Sequence, residues 1–174
     1  MSTETISEHY KDLDTWSLEQ TIEAITESNR RAVEAVQRAS PQVARAAKGI
    51  EQSLKAGGRL IYIGAGTSGR LALQDAVELA PTFGFENFLV LLAGGNSASK
   101  STAEDAEDDE AAAIREIEEA RVQKHDAVIG IAASGKTPYT VAGIKKARVL
   151  GAFTLGTANN PDTPLLIESE VGIF

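Results

Sequence analysis

An apolar run followed by a glycine-rich loop constrains the fold of this chain more than any other feature. The run is Leu60-Ile-Tyr-Ile63, and the loop directly after it reads Gly64-Ala-Gly-Thr-Ser-Gly-Arg70. The next residues, 71–80, have helical spacing, so the pattern predicts a strand, a loop and a helix in that order. In this arrangement backbone N–H groups and a helix N-terminus bind an anion. The loop therefore predicts an anion site that includes its glycines and hydroxyls, namely Gly66, Thr67, Ser68 and Gly69.

The glycines of this loop also satisfy the dinucleotide pattern G-x-G-x-x-G. A dinucleotide site needs in addition an acidic residue about 20 residues further on, at the end of the next strand. Here the next apolar run, residues 88–92, is followed by Ala93-Gly94-Gly95-Asn96, which has no carboxylate. A small phosphorylated ligand therefore fits the loop better than a dinucleotide does.

The composition argues against several classes of protein. A net charge of −8 over 174 residues disfavours nucleic acid as a partner, because nucleic acid binds a basic face. The absence of cysteine removes disulfides and thiolate chemistry. No apolar run approaches the roughly 18 residues of a membrane span, and the N-terminus lacks a signal-peptide pattern, so we expect a cytoplasmic protein without a membrane partner. The two histidines, His9 and His125, are too few and too far apart in the sequence to suggest a metal site, and we expect none.

Residues 1–57 are predicted to form a helical segment that packs on the core of the protein. Ser17 followed by Gln20 predicts a capping box, and a further helical stretch follows at residues 32–36. Ser40-Pro41 predicts an N-cap followed by proline in the first turn of another helix, which Gly57-Gly58 ends. We expect this segment to cover a sheet or a partner subunit.

Residues 58–174 alternate between apolar runs and helical patterns. Strands are predicted near residues 59–64, 87–93, 126–132 and 152–157, and helices near residues 69–80, 101–123 and 138–150. Almost continuously apolar runs are typical of parallel strands that are buried on both faces. The predicted fold is therefore an α/β domain with an open, doubly wound parallel sheet in the flavodoxin-like order 2-1-3-4-5. Residues 171–174 look like the opening of a fifth strand, so we expect this domain to be incomplete at its C-terminal end.

A second hydroxyl-rich loop, Ala132-Ala-Ser-Gly-Lys-Thr-Pro138, follows the third predicted strand. By itself it is explained by a turn at Ser134 and Gly135 and by Thr137 capping a helix that begins with proline. In the predicted strand order, however, strands 1 and 3 are neighbours, and ligands bind at their carboxyl ends where the winding reverses. We therefore expect both loops to converge on one anion.

Two glutamates are candidates for acid–base chemistry. Glu78 is predicted at the end of the helix after the first loop, where a carboxylate opposes the helix dipole, and its ordinary interpretation is a solvated surface residue. Glu107 lies in an acidic run, seven residues before Ile114, and a continuous helix would place it on the inward stripe. From the residues alone, the functional and the structural interpretation of Glu107 both remain open.

Four motifs in order resemble the N-acetylmuramic acid 6-phosphate etherase family, which has the sugar isomerase (SIS) fold. They are Gly64-Ala-Gly-Thr-Ser-Gly-Arg70, Asp75-Ala-Val-Glu-Leu-Ala-Pro-Thr82, Ala103-Glu-Asp-Ala-Glu-Asp108 and Gly130-Ile-Ala-Ala-Ser-Gly-Lys-Thr-Pro138. The resemblance implies cleavage of the D-lactyl ether of N-acetylmuramate 6-phosphate by elimination and hydration, without a metal or redox cofactor. It also implies that Glu78 and Glu107 are the catalytic glutamates and that Ser68, Ser134 and Thr137 bind the phosphate.

Two other functions share this fold and these loops. One is a sugar-phosphate-binding SIS module that regulates another process and needs neither glutamate. The other is an aldose–ketose phosphosugar isomerase. The joint presence of Glu78 and Glu107 favours the etherase, and the helical N-terminal segment together with the SIS resemblance suggests a homodimer.

Overall fold

The protein is built on one parallel five-stranded sheet. The computed structural model describes residue 3, residues 5–95 and residues 104–174, with side chains from residue 106 in the last range. The order of the strands is β2-β1-β3-β4-β5, which confirms the predicted doubly wound α/β fold. All four neighbouring pairs are parallel. The strands are β1 (Leu60–Gly64), β2 (Phe88–Leu92), β3 (Ala127–Ile131), β4 (Phe153–Thr157) and β5 (Val171–Ile173).

Helices cover both faces of this sheet. Alternate residues of β1 point to opposite faces, as the pleat of a strand requires. Ile61 and Ile63 belong to the core cluster under the helices after β2, β3 and β4. Leu60 and Tyr62 belong to the core cluster on the other face. The helices are α1 (Leu18–Arg38), α2 (Ser40–Lys55), α3 (Gly66–Phe83), α4 (Glu110–Glu119), α5 (Pro138–Val149) and α6 (Pro164–Glu168).

The N-terminal helices differ in how they pack. Ser17 and Gln20 form the predicted capping box, with both of its hydrogen bonds present. The stretch at residues 32–36 is not a separate helix but part of α1, which runs unbroken to Arg38. Ser40 is the first residue of α2 rather than its N-cap, a position that Ala39 takes. α2 packs on the sheet, whereas α1 buries no residue.

Two helices after the first two strands differ from their predicted bounds. α3 begins at Gly66, so residues 66–69 form its first turn, and it continues through Pro81 to Phe83. The predicted helix 101–123 is divided where the structure describes it: residues 104–108 form a 3₁₀ helix, Asp109 caps α4, and α4 ends at Glu119. Residues 101–103 lie outside the described part of the chain. Because a 3₁₀ helix has about 3.0 residues per turn, the helical phase predicted for Glu107 was wrong.

A buried ion pair joins the residues directly before β1 and β3 at the amino end of the sheet. The Arg59 side chain donates to both carboxylate oxygens of Asp126, with Nη2 at 2.7 Å from Oδ2 and Nε at 3.2 Å from Oδ1. The backbone N–H groups of Arg59 and Gln123 donate to the same carboxylate, each at 2.9 Å. Burial raises the pKa of Asp126, but these hydrogen bonds outweigh that effect and hold the pKa below its usual value.

Candidate functional site

The first loop brings an uncapped helix N-terminus to the carboxyl end of β1. Ala65 precedes α3 and offers no side-chain cap, so the N–H groups of the first turn have no side-chain acceptor at the N-cap. Thr67 accepts a hydrogen bond from Arg70 Nη2 at 3.1 Å, which leaves its own hydroxyl hydrogen available to a ligand. Thr67 is exposed and Ser68 half-buried. This turn therefore presents both backbone and hydroxyl donors.

Gly69 lies at the packing contact between α3 and β1. It is buried, and a Cβ added there would lie 2.8 Å from the carbonyl oxygen of Gly64 and 2.3 Å from Leu92 Cδ1. Only glycine lets the helix approach β1 so closely. Gly66, at the start of the same helix, is exposed.

The second loop brings another helix N-terminus to the same place. Thr137 occupies the N-cap of α5, as predicted, but its side chain makes no capping hydrogen bond. The Ser134 hydroxyl accepts from the N–H of Lys136 at 3.2 Å, so its hydrogen is also free to point at a ligand. Gly135 in this loop is buried and has a φ of 70°. A Cβ added there would lie 2.2 Å from Thr163 Oγ1.

The two loops converge as the strand order predicts. Gly64 at the end of β1 is paired with Ile131 at the end of β3, so the residues that follow them face each other. They line an open cleft of about 490 Å³. The lining residues are Ala65, Gly66, Thr67, Ser68, Glu107, Asp108, Ala133, Ser134, Lys136, Thr137 and Pro138. Five of the seven predicted binding residues therefore line one cleft. The other two, Gly69 and Gly135, are buried and do not line it.

Glu107 lines this cleft, but it lies on a different kind of helix from the one that the sequence predicted. It is exposed on the 3₁₀ helix 104–108 instead of lying on an inward stripe of a continuous α-helix. Ala106 beside it packs on the hydrophobic core and so anchors this short helix. Asp108, which the helical phase placed on another face, lines the cleft as well.

Glu78 does not lie in the cleft of its own chain. It is exposed on α3, and it follows Ser68 by ten residues, which corresponds to about 15 Å along a helix axis. Because α3 continues to Phe83, Glu78 is more than one turn from the helix end. The predicted effect of the helix C-terminus on Glu78 therefore has no basis in the structure, since that effect is confined to the last turn.

Two phenol–carboxylate hydrogen bonds hold the elements that form the cleft. The Tyr62 hydroxyl on β1 donates to Asp75 of α3 at 2.6 Å. The Tyr139 hydroxyl in the first turn of α5 donates to Glu116 of α4 at 2.5 Å. Burial, and then the neighbouring carboxylate, raises the pKa of both tyrosines above the usual value, so both phenols stay protonated as donors.

The sequence interpretation missed one cation in the cleft. Lys136 is exposed and supplies positive charge near Ser134 and Thr137, where the carboxylates of Glu107 and Asp108 supply negative charge. The position of Lys136 inside the second hydroxyl-rich loop was the signal available in the sequence. Within the described ranges, no three histidine or acidic residues are grouped in a way that could hold a metal ion. None of the helices described there is long and apolar enough to cross a membrane.

A model of the family described as the glucokinase regulatory protein N-terminal SIS domain matches residues 42–148. These residues include α3, both loops of the cleft and α5 except its last residue. The chain belongs to this SIS-domain family. The match covers more than half of its length.

The relatives of this SIS domain include N-acetylmuramic acid 6-phosphate etherases. The one from Deinococcus radiodurans is 45% identical over 166 residues, which are 94% of this chain and 54% of that protein. The one from Salmonella agona is 42% identical over 172 residues, 98% of this chain and 58% of that protein. These relatives confirm the predicted resemblance, and the chain spans about half of their length.

Solved structures support the same fold. A phosphoheptose isomerase from Francisella tularensis superposes with a TM-score of 0.72, covering 90% of this chain and 84% of that one. The two sequences are 17% identical, so the likeness concerns the fold alone. It confirms the SIS-type arrangement of the sheet and its helices.

Proposed function

We propose that the cleft binds the phosphate of N-acetylmuramate 6-phosphate and that the protein takes part in cleaving its D-lactyl ether. The observation that carries this proposal is the convergence of two uncapped helix N-termini, with Thr67, Ser68, Ser134 and Thr137, beside the carboxylate of Glu107. Helix N-termini and hydroxyl donors suit a phosphate, and Lys136 adds positive charge. The identity with the etherases supports the choice of this phosphosugar.

The reaction requires two proton transfers at neighbouring sugar carbons. A base removes the proton from C2, the C3–O bond breaks, and an acid protonates the departing ether oxygen to release D-lactate. Water then adds across the new double bond to form N-acetylglucosamine 6-phosphate. Two carboxyl groups can share these steps, and Glu107, which lines the cleft, is the one that this chain offers in the proposal. In this proposal the phosphate loops orient the sugar so that its ring comes close to Glu107.

Glu78 then acts from a second copy of the chain. It lies about 15 Å along α3 from Ser68, far from the cleft of its own subunit. α3 exposes Leu71 and Val77, which are 58% and 49% accessible, and α1 exposes an apolar stripe. The α1 stripe consists of Leu18, Ile22, Ile25, Val33 and Val36. Such surfaces favour a homodimer in which Glu78 of the partner subunit completes the cleft.

Subunit complementation tests this arrangement in a chain extended to the full length of the relatives. Glu78→Gln and Glu107→Gln subunits are mixed, dissociated and reassembled. If the cleft is shared, half of the dimers are mixed and each regains one intact cleft, so lactate release recovers to about a quarter of the wild-type rate. If both glutamates serve their own subunit, the mixture stays inactive, which would contradict the shared cleft.

Proton exchange in D₂O assigns the two roles. The variant that lacks the base leaves the C2 proton of N-acetylmuramate 6-phosphate in place. The variant that lacks the acid still exchanges this proton while it releases little lactate. Exchange by both variants at the wild-type rate would remove both glutamates from the proton transfer at C2.

The second candidate function is a phosphosugar-binding regulatory module. Two observations favour it: the matching family model is that of a regulatory protein, and Glu78 lies outside the cleft of its own chain. Product analysis separates the candidates. Lactate released from N-acetylmuramate 6-phosphate supports the etherase, binding without turnover supports the module, and an isomerised sugar without lactate supports an isomerase.

A further inference from the structure

The loop that carries Ser134 and Thr137 rests on the segment after β4. We call this segment, residues 158–165, the platform. It provides a donor to each of three successive carbonyl groups of the loop. The N–H of Asn159 donates to Ala133 at 2.9 Å, and the N–H of Leu165 donates to Gly135 at 3.0 Å. The carbonyl between them, that of Ser134, accepts from the side chain of Asn160 at 3.1 Å.

Asn160 is the only one of the three donors that acts through its side chain. It is 6% exposed, and its amide is used at both ends. The Nδ2 group also donates to Thr3 Oγ1 at 2.9 Å, and Oδ1 accepts from the Thr3 N–H at 2.9 Å. The Asn160 amide is therefore hydrogen-bonded to Thr3 as well as to the loop. Neither the cleft lining nor the motifs of the sequence include this residue.

We propose that Asn160 is a positioning residue that sets the orientation of Ser134 toward the phosphate, an inference that rests on the proposed phosphate site. A peptide group is planar, so fixing the carbonyl of Ser134 fixes the plane that joins it to Gly135. Gly135 has a φ of 70°, a backbone conformation that favours glycine, so this plane leads directly into the turn. Without the Asn160 donor, the carbonyl of Ser134 loses its partner from the platform and the loop relaxes. The hydroxyl of Ser134 then no longer points steadily into the cleft.

Asn160→Asp is the sharpest variant because it keeps the shape of the side chain. An ionised aspartate still accepts from the Thr3 N–H but cannot donate to the Ser134 carbonyl. The affinity of this chain for glucosamine 6-phosphate, measured by calorimetry well below the thermal midpoint, is expected to fall by about tenfold, the scale of one net hydrogen bond. An affinity equal to that of the wild type would overturn the proposal.

The pH dependence adds a readout that a general loss of stability does not produce. A protonated aspartate regains one donor, so the ratio of wild-type to variant affinity is expected to shrink as the pH falls. Repulsion between an ionised aspartate and the phosphate also changes with pH, so Asn160→Ala, which adds no charge, is measured beside it. A ratio that stays constant with pH would count against the role of the donor. If Asn160→Asp does not fold, Asn160→Ala repeats the affinity test without a buried charge.

Asn87→Asp is the matched control at the opposite end of the sheet. Its side-chain amide also donates to a backbone carbonyl, that of Gly58, at 3.0 Å. This variant is expected to lose stability without losing affinity. A double-mutant cycle completes the test: on a Ser134→Ala background, Asn160→Asp should cost little further affinity, because it acts through Ser134. Additive losses would show that Asn160 acts elsewhere.

The wild-type measurement separates the two levels of the proposal. If the wild type does not bind glucosamine 6-phosphate, the proposed phosphate site fails, and the role of Asn160 fails with it. If the wild type and Asn160→Asp bind equally well, only the role of Asn160 fails.

Discussion

At the amino end of the sheet the polar groups satisfy one another, whereas at the carboxyl end several of them are directed into an open cleft. The carboxylate of Asp126 is 4% exposed and accepts hydrogen bonds from Arg59 and Gln123. At the other end, two helix N-termini lack side-chain caps. The hydroxyls of Thr67 and Ser134 each accept one hydrogen bond, and their own hydrogens remain available to a ligand. A satisfied network contributes to stability, while unsatisfied donors are available for a ligand.

This difference predicts that substitutions at the amino end change stability and those at the carboxyl end change binding and turnover. Each end has residues of similar chemistry, so the two kinds of effect can be compared in matched variants.

Glu107→Gln is expected to lower turnover by about 10²- to 10⁴-fold, because the amide cannot exchange a proton. Lactate release is measured in a chain extended to the relatives' length, and substrate affinity should change much less. Glu110→Gln in the first turn of α4 is the control, since Glu110 is exposed and does not line the cleft. Asp108 is unsuitable as a control because it lines the cleft. Equal activity of the two variants would mean that Glu107 is an ordinary solvated surface residue without a catalytic role.

Asp126→Ala is expected to lower the free energy of unfolding by roughly 3 kcal/mol, the lower end of the range for breaking a buried ion pair. The lower end applies because the Arg59 side chain is 29% exposed and can be rehydrated. Urea denaturation measures this change, and affinity for glucosamine 6-phosphate should remain that of the wild type. Glu51→Ala, which breaks the exposed pair with Lys55, should have a much smaller effect. Similar losses in both variants would mean that burial does not distinguish the two pairs.

The stabilising effect of Asp126 is expected to depend on pH. Its pKa is lowered in the folded state, so the unfolded chain binds more protons as the pH falls. The contribution is complete above the unfolded pKa of about 3.9 and is lost as the pH falls through the folded value. Urea midpoints of the wild type and Asp126→Asn should therefore converge at acid pH. A constant difference down to about pH 2 would contradict the lowered pKa.

Ser134→Ala is expected to weaken binding of glucosamine 6-phosphate by about tenfold through the loss of one hydrogen bond to a charged group. The free energy of unfolding should change little, because the hydroxyl makes one loop contact with the N–H of Lys136. Calorimetry measures the affinity, and Thr82→Ala in the exposed last turn of α3 serves as control. A phosphate bound elsewhere in a crystal soaked with glucosamine 6-phosphate would also disprove the assignment.

Lys136→Met is expected to have the smallest effect, a loss of affinity of about threefold at low salt, since the side chain is exposed and its charge is screened. The loss should diminish as the salt concentration rises. Lys124→Met, exposed near the amino end of the sheet, removes the same charge at a distance from the cleft. Equal losses in the two variants would point to net charge instead of a local contact.

Regular elements were predicted well because their signals lie in neighbouring residues. Each of the first four strands lies within its predicted range, and the capping box at Ser17 formed as expected. Boundaries failed where a local signal was ambiguous. The helix predicted near residues 69–80 continues through Pro81 to Phe83, and the helix predicted near residues 101–123 contains a 3₁₀ segment and a new cap at Asp109.

The sequence by itself determined the alternation of strands and helices and the two hydroxyl-rich loops, because apolar periodicity and turn chemistry act over a few residues. Only the tertiary structure decided which carboxylates meet these loops. It brought Glu107 into the cleft, left Glu78 outside the cleft of its own chain, and set the Asn160 side chain under Ser134. Ser134 and Asn160 are 26 residues apart, and such contacts depend on how the crossovers bring distant segments together.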